Sequence, residues 1–81
     1  ILIRYGGERM NKLLLKSHMA KRGDTQAVLA EAMGLSLSRL NAKINGTGGA
    51  EFTQTEIAFI SERYKLSGSE TMRIFFSEKV S

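Results

Sequence analysis

One glycine decides most of what this chain can fold into. Gly34 stands between two short segments, QAVLAEAM before it and LSLSRLNAKIN after it. Leu29, Met33, Leu35, Leu40 and Ile44 are their apolar positions, and this spacing predicts two short helices meeting at a tight turn. Glycine enters the left-handed region at a helix end without steric cost, which makes Gly34 the turn residue. Ser36 follows as the N-cap of the second helix of the pair, its hydroxyl free to accept a backbone N–H. Ala30 falls where two crossing helices leave no room for a larger side chain.

A helix, a glycine turn and a capped helix make the helix-turn-helix arrangement, which sets its second helix into the major groove of DNA. A lone glycine between two helices more often marks an ordinary α-hairpin, so the surrounding residues matter. Thr25, Gln26, Leu29, Ala30 and Gly34 stand in the pattern T-Q-x-x-L-A-x-x-x-G, and Asn45-Gly46 closes the unit. On these residues the stretch resembles the phage-repressor family of Cro and lambda-repressor-like helix-turn-helix proteins. The resemblance continues through KINGTGGAEFTQTEIAFI and RIFF, covers residues 11 to 76, and is nearest to small prophage-encoded regulators. It implies an all-α, compact five-helix domain with the helix-turn-helix at its second and third helices. It also implies sequence-specific binding of double-stranded DNA in a bacterial cytoplasm, by a homodimer on a pseudo-palindromic operator.

Eighty-one residues allow one small domain, and 42% apolar with 25% charged residues marks a globular chain rather than a disordered one. The absence of cysteine removes a disulfide framework and thiolate metal sites. No apolar run approaches the roughly 20 residues of a membrane span. The net charge of +4 is unevenly placed. Between residues 10 and 50, Lys12, Lys16, Lys21, Arg22, Arg39 and Lys43 face only Asp24 and Glu31. From residue 51 onward the four cations are outnumbered by five glutamates. Positive charge thus travels with the helix-turn-helix half, where phosphates would be met.

Residues 1–9, ILIRYGGER, do not fit the helical scheme. They read either as a short extended arm or, in the account favoured here, as translated upstream sequence: Gly-Gly-Glu-Arg before Met10 is what a purine-rich ribosome-binding site encodes in frame. The domain is then expected to span 10–77, with 78–81 a frayed tail. A first helix runs from the N-cap Asn11 to Arg22 and stops at Gly23, with Leu15 and Met19 inward and Leu14 or Leu13 widening the stripe. Thr25 or Asp24 caps the second. The family usually carries an apolar or aromatic residue where Asp24 stands, so the joint between the first two helices is expected to be looser. Thr53-x-x-Glu56 and Ser67-x-x-Glu70 are capping boxes that open the fourth and fifth helices. Ile57, Ile60 and Tyr64 point inward on the fourth, with Phe52 stapling its entry.

The third helix, 37 to 45, is the proposed reader. With Leu40 and Ile44 inward, Leu37, Ser38, Asn41 and Ala42 project outward and Arg39 lies at the edge. Ser38 can donate or accept, Asn41 can bond adenine bidentately, Leu37 and Ala42 can meet a thymine methyl, and Arg39 can pair with guanine or a phosphate. Ser38 and Asn41 match base-reading positions of Cro-like members; Leu37 and Ala42 replace longer polar residues, and Leu37 has packing on the second helix as its other role. Phosphate contacts are expected from Gln26, which the resemblance assigns, and from Lys43, Asn45, Thr47, Lys21 and Arg22. For Lys21 and Arg22 the helix dipole is an equal explanation, and for Lys43 so is snorkelling across the helix. Ile74, Phe75 and Phe76 cannot all face one core, so Ile74 or Phe76, with Phe59 on the fourth helix, are candidate dimer contacts.

No catalytic constellation assembles around His18, the single histidine, so the chain is expected not to be an enzyme, with no metal, cofactor or small-molecule ligand. The competing reading is a protein-interaction module, an antirepressor or antitoxin, that keeps this fold.

Overall fold

The computed structural model describes residues 10–76. The expectations for the leading segment 1–9 and the tail 78–81 lie outside the described residues. Among those described, the fold is all-helical, with no strand: α1 (Lys12–Arg22), α2 (Gln26–Met33), α3 (Leu37–Asn45), a single 3₁₀ turn (Thr47–Gly49), α4 (Gln54–Arg63) and α5 (Gly68–Phe75).

Each helix starts where a short polar side chain can take an orphan N–H. Asn11, Thr25 and Ser36 accept from Leu14, Val28 and Arg39, all at 3.1 Å. Thr53 and Ser67 do so within complete capping boxes, with Glu56 and Glu70 reaching back to the cap N–H at 2.9 Å. Gly34 ends α2 at φ 73°, and the Leu35 N–H then returns to Ala30 O at 2.8 Å, which closes the turn into α3. The end of α4 uses no glycine. Lys65 takes φ 54° there, a conformation that crowds a Cβ against the following carbonyl. Lys65→Gly is therefore expected to raise stability by about 0.5–1 kcal/mol, read as a shift of the urea midpoint with an unchanged slope.

Leu15, Met19, Leu29, Ala30, Leu40, Ile44, Ile60, Ile74 and Phe75 form one core. α2 packs on α3, and α5 packs on both α1 and α4. Phe52 meets Phe75 edge-on with centroids 5.6 Å apart, anchoring the approach to α4. Leu14 is half-buried and widens the α1 stripe, whereas Leu13 faces solvent. Ile74 is fully buried, which removes it as a dimer contact. The short α5 turns Ile74 and Phe75 inward, leaving Met72 and Phe76, four residues apart, on its outer face.

The joint between α1 and α2 is not loose. Asp24, with its side chain 7% exposed, accepts from Arg63 Nε at 2.7 Å, Arg63 Nη2 at 3.1 Å and Tyr64 Oη at 2.7 Å. Arg22 adds a bond to the Arg63 carbonyl at 3.1 Å. A polar clamp to the end of α4 thus stands where an apolar contact was expected, because the residue after Gly23 points at a fork of donors on α4. The Arg63 hydrogen bonds hold the Asp24 carboxyl below its ordinary value against the opposing push of burial, with Tyr64 helping. Among the described residues, no buried side-chain nitrogen or oxygen lacks a partner.

Candidate nucleic-acid interface

α3 is short and strongly two-faced. Leu40 and Ile44 are fully buried and Lys43 nearly so, which leaves Leu37, Ser38, Arg39 and Asn41 exposed and Ala42 half-buried at the margin. Leu37 is 49% exposed and therefore outward rather than folded into the core. The core-facing residues fix which way the helix is turned. One contiguous face consequently offers a hydroxyl, a guanidinium, a carboxamide and two apolar groups. These are the side-chain types that meet base edges in a major groove.

The flanking residues are less uniform than the sequence suggested. Gln26 opens α2 half-buried, and Thr47 is exposed in the loop after α3. Lys21 and Arg22 are exposed in the last turn of α1, although Arg22 spends one N–H on Arg63 O. Lys12, absent from the sequence candidates, sits beside the end of α3, its Nζ 3.0 Å from Asn45 Oδ1. Asn45 in turn donates to Asn41 Oδ1 at 3.3 Å. Asn45 thus holds its neighbours in addition to ending the helix. No local pattern announces Lys12, because its partner is 33 residues away.

Lys43 must be withdrawn as a phosphate contact. Its side chain is 8% exposed and its Nζ donates inward, to Glu56 Oε1 at 2.9 Å and to Glu51 O at 3.2 Å. The loop that follows α3 brings the Glu51 carbonyl to the lysine, and the first turn of α4 brings the Glu56 carboxylate. Burial raises the Glu56 carboxyl, but the Thr53 N–H and Lys43 together outweigh it and hold the group below its ordinary value. Lys43→Met is expected to cost about 1–2 kcal/mol of stability, as the loss of one charged hydrogen-bond set. The salt dependence of DNA binding should not change. A salt slope smaller by about one unit would return Lys43 to the phosphates.

No protein-family model, curated protein or solved structure matches the chain. The site rests on its own geometry. Among the described residues, no helix is long and apolar enough to cross a membrane.

Proposed function

We propose that the chain is a small transcriptional regulator of the phage-repressor type, binding double-stranded DNA with α2, its glycine turn and α3 as the helix-turn-helix. The observation that carries this reading is the outward face of α3: Ser38, Arg39 and Asn41, flanked by Leu37 and Ala42, on a helix locked by Leu40 and Ile44. Gln26 at the start of α2 and Thr47 beyond α3 flank that face as phosphate contacts. Lys21 and Arg22 add positive charge from α1. Two protomers, joined through the outer face of α5 with Met72 and Phe76, would set their third helices in successive major grooves about 34 Å apart. Among the described residues, Phe59 on α4 is the other exposed aromatic available to such a contact. The regulator would act in the bacterial cytoplasm by competing for an operator.

Selection of bound sequences from a random duplex pool tests this. Two inverted half-sites about ten base pairs apart are expected, with affinity falling steeply as salt rises. Retention at low salt only, with no motif enriched, would move the fold to the protein-interaction reading. Asn41→Ala should cost about 1–3 kcal/mol on the selected site and relax one base position. Equal losses on selected and random duplexes would make Asn41 a positioning residue.

A further inference from the structure

A groove of about 550 Å³ lies on the outer side of α4. Thr55, Ala58, Phe59 and Glu62 line it at the spacing of one helical face, and all four are exposed. Arg22, at the end of α1, joins Arg63 and Lys65 in bringing cations to the same groove, where Glu62 is the one lining carboxylate among the described residues. Asp24 takes up two donor groups of Arg63, so Arg22 and Lys65 are the charges open to solvent. The Arg22 side chain keeps 49% exposure, and the Lys65 ammonium has no partner among the described residues. No lining residue comes from α2 or α3, so the groove is separate from the outward face of α3.

Lys65 carries a second observation. α1, α2 and α3 end on the left-handed glycines Gly23, Gly34 and Gly46, whereas the chain leaves α4 through the same region on a lysine. A residue with a Cβ is strained there, so local folding alone favours glycine. Strain of this kind points to a use for the side chain, and the groove beside it supplies one.

We propose that this groove docks an acidic segment of another protein, one that sets a large apolar side chain against Phe59 and carboxylates against Arg22 and Lys65. Charge and surface together choose the occupant. A nucleic-acid phosphate answers the cations and leaves Ala58 and Phe59 unmatched. A purely apolar partner answers Phe59 and covers the cations without a counter-charge. A segment with both features complements the lining as a whole. Glu62 opposes it and keeps the affinity modest. Phe59 thereby goes to a partner rather than to a second protomer. The inference does not depend on DNA binding, and either reading can fail alone.

The test begins with selection from a displayed pool of random peptides on the full chain. Enriched peptides should carry an aromatic residue or leucine among aspartates and glutamates. A synthetic peptide of the enriched sequence is then titrated by fluorescence anisotropy, beside a copy with asparagine and glutamine in place of its acids. The amide copy should bind about two- to thirtyfold more weakly, as two exposed charge contacts would give. Phe59→Ala should weaken the acidic peptide at least about fivefold. Lys65→Gly should raise the urea midpoint and yet weaken the peptide about two- to fivefold, while Glu62→Gln should tighten it by a similar factor. A merely structural role for Lys65 moves the midpoint and leaves the peptide affinity alone. A pool that enriches no acidic sequence overturns the proposal, as does Lys65→Gly binding the peptide like the wild type. So does a chain that doubles its mass in sedimentation equilibrium until Phe59→Ala abolishes the doubling, which gives the groove to a second copy. A duplex that displaces the peptide, with a salt slope about one unit smaller in Lys65→Gly, gives it to phosphates instead and overturns the proposal too.

Discussion

Replacing Asp24 with alanine should destabilise the fold by about 2–3 kcal/mol, although the residue lies in the connection between α1 and α2. The removed carboxylate is the common acceptor of Arg63 and Tyr64. Deleting one member of a fully buried ion pair costs about 3–5 kcal/mol, because the other charge is left without its partner. Arg63 retains 20% exposure and can recover some hydration, which lowers the figure. In a domain of this size the melting temperature should fall by roughly 10–20 °C, followed by circular dichroism. A drop under about 0.5 kcal/mol, the level of an ordinary surface change, would mean that the clamp contributes little. The acid limb gives a second check. A carboxyl depressed in the folded state contributes stability that is present above its unfolded value of about 3.9 and lost as pH falls through the lower folded value. Glu56 and Glu70 are depressed as well and act in the same direction. Wild type should therefore lose stability below about pH 4, and Asp24→Asn should show a shallower decline there.

The second large effect separates two leucines three positions apart on α3. Leu40 is fully buried, and Leu40→Ala should cost about 3–5 kcal/mol through lost transfer energy and the cavity left behind. A domain of this length holds only about 4–10 kcal/mol in all, so the variant should melt near or below growth temperature. Leu37→Ala should change stability by no more than about 0.5 kcal/mol. Its effect belongs on the selected duplex, as a lost apolar contact with a thymine methyl. Urea titration of both variants beside DNA titration of Leu37→Ala reads the contrast. Equal destabilisation by the two changes would mean that α3 is rotated from the orientation described, and the outward face with it.

Local chemistry was legible in the sequence; pairing across the fold was not. Asn11, Thr25, Ser36, Thr53 and Ser67 cap their helices through residues three positions on, so each start could be read from a few adjacent letters. The left-handed ends at Gly23, Gly34 and Gly46 are legible for the same reason. The Asp24 clamp is not legible because its partners lie 39 and 40 residues away, and nothing next to Arg63 or Tyr64 marks them as its donors. Lys43 followed the same course: on a helical wheel a lysine reads as exposed unless the loop that covers it is known. Ile74 failed for another reason. An apolar triplet at the end of an eight-residue helix leaves the phase open, since one residue of rotation exchanges the inward and outward members. For the outward face of α3, the apolar pattern is enough to separate Leu40 and Ile44 from Leu37, Ser38 and Asn41.

Glu56 Oε1 receives both the Thr53 N–H and Lys43 Nζ, each at 2.9 Å. One oxygen therefore staples a fourteen-residue ring shut without a covalent bond. The glycine-containing 3₁₀ turn lies inside that ring and packs on α3. A protease cut at Gly48 or Gly49 should leave α3 and α4 docked, whereas losing the single carboxylate should release both ends of the ring at once.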